Sequence, residues 1–177
     1  MPGWFSLLPG LLIPAWFWIA QLHGWPFWPA GLLLIPLAWR GAGSLQLPRW
    51  ALLGATVLGL AAVLARRELP VLFYPVLMNT AFLTVFGLSL RASQTVIERI
   101  AHLREPDLPP AAIAYTRKVT IAWCIFFGLN GLIALWTTQQ DRMIWTLYNG
   151  AISYLLTGLM FAGEWLIRQR VRRQTHG

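Results

Sequence analysis

The sequence predicts an all-α polytopic membrane protein with about six transmembrane helices and one short interfacial amphipathic helix. Three observations predict it. Apolar runs fill almost the whole chain: 57% of its 177 residues are hydrophobic and 11% are charged, where a soluble domain carries about 25% charge. Several runs approach the ~20 apolar residues needed to cross a hydrocarbon core about 30 Å thick. The basic residues lie in the gaps between the runs. The length suits a single integral membrane domain, 1–177.

Six candidate segments follow in order: 4–20, 25–39, 49–65, 71–90, 118–136 and 143–167. The first two are shorter and hold Pro9, Pro14, Pro26, Pro29 and Pro36. Proline removes a backbone donor and kinks a helix. Residues 1–48 therefore read as a Pro/Trp-rich helical hairpin, either spanning or re-entrant. Helices three and four occupy 49–90. The long polar connection is 91–117. Within it, 95–104 places Val96, Ile100 and Leu103 on one helical face, with Gln94, Glu98, Arg99 and His102 on the others. That pattern predicts a short helix along the inner membrane surface. Pro106, Pro109 and Pro110 then end it. Helices five and six occupy 118–167, and 168–177 is a basic tail. The start of the chain has no basic region and no small-residue cleavage site, so no cleaved signal peptide is expected.

Tryptophan supports these boundaries. Trp4, Trp25, Trp39, Trp50, Trp136, Trp145 and Trp165 fall near segment ends, where a half-apolar indole finds water for its N–H. Trp16, Trp18 and Trp123 lie deeper and read as packing residues.

Lysine and arginine set the orientation. With six spans, one side receives Arg40, Arg49, Arg91, Arg99, Arg104, Arg117, Lys118, Arg168, Arg170, Arg172 and Arg173. The other receives Arg66, Arg67 and Arg142. The richer side is cytoplasmic, which puts both termini inside. The net charge of +8 then reads as topology signalling and attraction to anionic headgroups, with no nucleic-acid partner expected.

Catalytic chemistry finds little to stand on. The single cysteine, Cys124, allows neither an intramolecular disulfide nor a cysteine metal site. No His-Glu-x-x-His, no Gly-x-Ser-x-Gly and no aspartate-rich pair occurs. Six acidic residues in all make an acid–base or metal-dependent enzyme hard to build. No catalytic residue, metal site or cofactor is expected. An enzyme working at the inner interface through His102 or Glu98 is disfavoured.

The best candidate site lies between the last two helices. Thr146, Asn149, Ser153, Thr157 and Glu164 fall within about 80° of arc at 100° per residue. On the preceding helix Thr120, Cys124, Gly131, Ala134 and Thr138 form a small or weakly polar stripe, with Asn130 near its edge. Asn130, Asn149, Ser153, Thr157 and Glu164 are thus the candidate substrate-binding residues. Helix packing explains the same pattern, because small residues permit close approach and hydroxyls and amides bond across a seam. Packing also covers Ala51, Ala55 and Gly59, and Thr80, Thr84 and Gly87. Asn79 suggests an interhelical hydrogen bond. Glu164 is the only acid inside the last four segments, which marks it for function, yet Arg168 at i+4 offers a plain helix salt bridge. At the inner face, Glu98, Arg99, Arg104, Arg117, Lys118, Arg170, Arg172 and Arg173 are candidates for contact with a partner or headgroup.

The second half carries a resemblance. The run Val96-Ile97-Glu98-Arg99-Ile100, then Leu108-Pro109-Pro110, Thr116-Arg117, Ala122-Trp123-Cys124-Ile125-Phe126-Phe127, Leu129-Asn130-Gly131 and Trp145-Thr146-Leu147-Tyr148-Asn149-Gly150 resembles a family of small, uncharacterised bacterial inner-membrane proteins. These are encoded beside ketoacyl synthase and acyl carrier protein genes in clusters of the aryl polyene type. The same half is more distantly similar to the intracellular septation protein A family. The resemblance covers about 72–168, and the 4–67 part matches little beyond hydrophobicity. It implies a protein of the Gram-negative cytoplasmic membrane and supplies no reaction. It adds weight to Glu98, Arg99, Pro109, Arg117, Trp123, Asn130, Tyr148, Asn149 and Glu164.

The expectation is an accessory role in envelope lipid metabolism, binding or moving an acyl-type lipid. The alternatives are a scaffold that docks acidic partners such as acyl carrier protein or a synthase on the basic inner face, and a small transporter. Oligomeric state and ligand identity are not legible.

Overall fold

The computed structural model describes residues 8–33, 48–103 and 107–175, with side chains for 14–33, 48–103, 107–167 and 169. Expectations at Trp4, Trp39, Arg40 and Arg104, and at the side chains of Arg168, Arg170, Arg172 and Arg173, lie outside these. Among the described residues every regular element is helical. In order they are α1 (Leu8–His23), a 3₁₀ turn (Trp28–Ala30), α2 (Arg49–Ala65), α3 (Leu69–Leu72) and α4 (Tyr74–Ser89). Then come α5 (Val96–His102), α6 (Pro110–Thr137), α7 (Arg142–Leu147), a π-helical turn (Tyr148–Ile152) and α8 (Ser153–Thr175).

Among the described residues three helical stretches are long and apolar enough to cross a membrane. They are Leu69–Ser89, Pro110–Thr137 and Arg142–Ile167, with 21, 28 and 26 residues. At 1.5 Å per residue the shortest reaches about 32 Å, enough for the hydrocarbon core. Among the described residues α1 and α2 have 16 and 17 residues, below that length. The outward faces carry large apolar side chains throughout, such as Leu53, Val57, Leu64, Leu132, Leu155, Leu159 and Leu166. Water would not tolerate so continuous an apolar surface; lipid tails are its natural solvent.

Helix α6 begins eight residues earlier than the expected 118. The pair Pro109–Pro110 does not merely end the preceding segment: Pro110 occupies the first helical position, where a missing N–H costs nothing and φ is already set. Arg117 and Lys118 therefore sit inside the helix, both exposed. Helix α5 is closed by a capping box: Thr95 accepts from the Glu98 N–H while the Glu98 carboxylate accepts from the Thr95 N–H. Its Ile97, Glu98 and Ala101 are buried, while Ile100 and Leu103 are exposed.

The main seam joins α4 to α6. Phe82 stacks on Phe127 at 5.1 Å, and Phe86 packs edge-on to Phe127 at 5.3 Å. Trp123 is buried between Phe86 and Phe161. Gly131 lies where any Cβ would stand 3.1 Å from the Asn79 Cβ. Ala51 and Ala55 of α2 are buried with Ala81, under Leu77, Met78 and Phe82. Thr80, Thr84 and Gly87 do not pack in this way. Thr80 is exposed, Gly87 faces open space, and each threonine hydroxyl donates to the carbonyl four residues back. That local bond satisfies a hydroxyl without a partner helix.

One end of the bundle is tied by a single cluster. Glu68 Oε2 lies 3.4 Å from Arg142 Nε, and Glu68 Oε1 accepts from the Phe27 N–H at 3.1 Å. Arg142 also donates to the Trp25 carbonyl at 2.6 Å and lies 3.9 Å over the Phe27 ring. Beneath them Phe17, Phe27 and Trp145 pack ring against ring. Trp145 was expected at a headgroup level, yet it is only 1% exposed. Its N–H needs no water because it donates to the Leu72 carbonyl at 3.1 Å.

Two substitutions test this packing. A Cβ on Gly31 would stand 2.6 Å from the Gly59 carbonyl oxygen, so Gly31→Ala should lower stability by about 1–3 kcal/mol. Unchanged thermal unfolding in detergent would show that the two backbones do not meet. Arg66 holds φ 50° at the end of α2, with the Arg67 N–H bonded to the Ala62 carbonyl. This is a glycine's usual place, so Arg66→Gly should raise stability by about 1 kcal/mol; a fall on the same unfolding curve would count against it.

Candidate functional site: an uncharged groove between α4, α6 and the last helix

Asn130, about three-quarters of the way along α6, is the centre of a buried polar network. Its Nδ2 donates to Asn79 Oδ1 on α4 at 2.9 Å and to Ser153 Oγ on α8 at 3.0 Å. Its Oδ1 accepts from the Tyr148 hydroxyl at 2.8 Å. Asn79 in turn donates to the Pro75 carbonyl at 2.8 Å, a carbonyl near the start of α4. One side chain thus joins three helical stretches. Asn149 makes a second link: its Nδ2 donates to Thr137 Oγ1 at 2.9 Å and to the Trp145 carbonyl at 3.0 Å. The sequence stripe placed Thr138 there. The partner is Thr137, one residue and about 100° away, and Thr138 instead donates to the Leu135 carbonyl.

The π-helical turn Tyr148–Ile152 carries this part of the helix. Such turns insert one residue into the ladder and are frequent at functional sites. Here the Trp18 N–H from α1 donates to the Gly150 carbonyl at 3.3 Å, and a Cβ on Gly150 would lie 3.1 Å from Trp18 Nε1. The turn is therefore held in place by the N-terminal helix.

Beside the network is a partly open cavity of about 230 Å³. Asn79, Asn130, Asn149, Ser153 and Thr157 form its polar side, and Phe17, Met78, Phe82, Phe126, Phe127 and Trp145 its apolar side. Tyr74 and Tyr154 also line it. Among the described lining residues none is ionised at neutral pH. Amides, hydroxyls and phenols can hold a ligand by hydrogen bonds; they do not amount to an acid–base pair.

Four of the five candidate substrate-binding residues, Asn130, Asn149, Ser153 and Thr157, meet at this cavity. Glu164 does not line it; it lies farther along α8, where its backbone carbonyl accepts from the Tyr115 hydroxyl at 3.4 Å. Of the inner-face candidates, Arg99, Arg117 and Lys118 are exposed. Glu98 is turned inward, 7% exposed and occupied by its cap, with His102 Nε2 4.0 Å from its carboxylate. A buried cap is no headgroup contact. Among the described residues no group of three or more His, Cys, Asp or Glu could hold a metal ion.

Sequence reasoning missed Tyr74 and Tyr154, and the Glu68–Arg142 pair. A phenol inside an apolar run is a signal, since its hydroxyl needs a partner when buried. The ion pair left no local signal. The chain matches no family model, no curated protein and no solved structure.

The network makes a measurable claim. Interhelical side-chain hydrogen bonds in membranes average about 0.6 kcal/mol and reach about 1.7. Asn130→Ala should cost about 1–3 kcal/mol, because it also strands the Tyr148 hydroxyl and the Asn79 carbonyl. In a double-mutant cycle Asn79→Ala and Asn130→Ala should be coupled by about 0.6 kcal/mol or more. Strict additivity would mean the two amides do not pair.

Proposed function

We propose that the chain is a six-span protein of the bacterial cytoplasmic membrane, with both termini cytoplasmic, that binds or moves an acyl-type lipid as an accessory to envelope lipid metabolism. The observation that carries this reading is the cavity itself. It lies between apolar helices, with aromatic walls and a polar side of amides and hydroxyls. Such a composition suits an amphiphile whose chains stay in hydrocarbon while its polar part finds donors and acceptors. The meeting of Phe27, Glu68 and Arg142 at one end supports placing those three connections on the same side, as alternating spans require. The excess of lysine and arginine toward the other end supports its cytoplasmic orientation. The resemblance to the aryl polyene-type family agrees with a lipid context.

A second reading, a scaffold for an acidic partner such as acyl carrier protein, draws on the exposed Arg99, Arg117 and Lys118. Clustered cations steer acidic partners and are sensitive to salt.

Native mass spectrometry of protein purified gently from its own membranes separates the two. A stoichiometric lipid, retained above the level of bulk phospholipid, is the expected result. A protein adduct lost at high salt and no retained lipid would replace the lipid reading with the scaffold.

A further inference from the structure

The groove's hydrogen-bonding groups are not all used. The Asn79–Asn130 pair is closed within the protein, but the Tyr74 and Tyr154 hydroxyls have no hydrogen-bond partner among the described residues, and both residues line the cavity, with Tyr154 47% exposed. Asn149 spends its Nδ2 on Thr137 and Trp145, and its Oδ1 accepts from none of the described residues. Ser153 Oγ accepts from Asn130, and its own proton has no acceptor among the described residues. The unused set is three hydroxyl donors and one carbonyl acceptor. No cation lines the cavity among the described residues. The guanidinium of Arg142 stands beyond the Phe17, Phe27 and Trp145 rings and is already engaged by Glu68 and the Trp25 carbonyl.

We infer that the groove takes the uncharged head of a diacylglycerol-type lipid, built of ester and hydroxyl oxygens, and refuses a phosphorylated or carboxylate head. This rests on the reading of the groove as a lipid site. Two ester carbonyls accept from the phenols or from Ser153, and a free hydroxyl donates to Asn149 Oδ1. An ionised head would lose its water and gain no counter-charge, which low-dielectric surroundings penalise heavily. The volume fits as well. At about 230 Å³ the cavity is below the ~300–1,000 Å³ of pockets that enclose a whole drug-sized molecule. It holds a head and leaves the acyl chains in the membrane.

The test uses the full chain in phosphatidylcholine nanodiscs and native mass spectrometry. Dioleoylglycerol and dioleoyl phosphatidic acid, which differ only in the head, are titrated separately. Dioleoylglycerol should bind roughly tenfold or more tightly than the phosphatidic acid. Tyr74→Phe with Tyr154→Phe should weaken it by roughly tenfold and leave thermal unfolding unchanged or raised, since no internal bond is lost and two unpaired hydroxyls are removed. Phosphatidic acid binding as tightly would overturn the inference and leave the lipid reading standing. Unchanged dioleoylglycerol binding in the double variant would also overturn it. If neither lipid displaces bulk phosphatidylcholine from the wild type, both readings fall.

Discussion

Water is absent from the hydrocarbon core, so a polar group there must find its partner within the protein. The arrangement of this bundle follows from that constraint. Isolated threonines answer it locally: Thr80, Thr84, Thr120 and Thr157 each donate to the carbonyl four residues back. An asparagine amide has two donors and an acceptor that one local bond cannot satisfy. Asn79 and Asn130 must therefore meet across the seam, and their meeting fixes the register of α4 against α6. Gly131 is the steric complement. Beside Asn130, it leaves room for the Asn79 side chain.

The same constraint operates at the end of the bundle with charges. Glu68 and Arg142 are only partly buried, so their mutual attraction is worth little by itself. Their importance is in the company they keep. Glu68 also holds the Phe27 N–H, and Arg142 holds the Trp25 carbonyl and covers the Phe27 ring. Three connections from distant parts of the sequence are thereby brought to one point. The aromatic layer of Phe17, Phe27 and Trp145 is compressed beneath it, and two of its rings, Phe17 and Trp145, are walls of the groove. The clasp therefore shapes the site without touching it.

Much of this is legible in the sequence for a simple reason. Apolar length and 100° periodicity are local properties, and they place the helices near 71–90, 118–136 and 143–167 and bring Asn149, Ser153 and Thr157 to one face. Boundaries and partners are less legible because they depend on geometry at single residues. Pro109–Pro110 reads as a breaker, yet the second proline begins α6. Thr137 and Thr138 differ by one position and by about 100° in direction, so the stripe points correctly while its polar partner is off by one. The face of α5 is legible only in part. Ile97 and Ala101 pack inward, whereas the expected Ile100 and Leu103 point away from the protein, the side on which a membrane surface would lie. Trp145 shows another limit: an indole near a segment end need not be interfacial when a neighbouring helix offers a carbonyl such as that of Leu72.

A packing seam and a binding groove use the same residue types, and the difference between them lies in what remains unpaired. In a seam the hydrogen bonds close within the protein, as those of Asn79, Asn130 and Tyr148 do. Alongside that closed set, Tyr74, Tyr154 and the Asn149 carbonyl face the cavity with capacity left over. If packing were the whole role, phenylalanine at both tyrosines would fill the same space and remove a desolvation cost. Tyrosine there keeps two hydroxyls without a hydrogen-bond partner among the described residues, on side chains that line the cavity. Unused hydrogen-bonding capacity in such surroundings is what an uncharged polar ligand would complete.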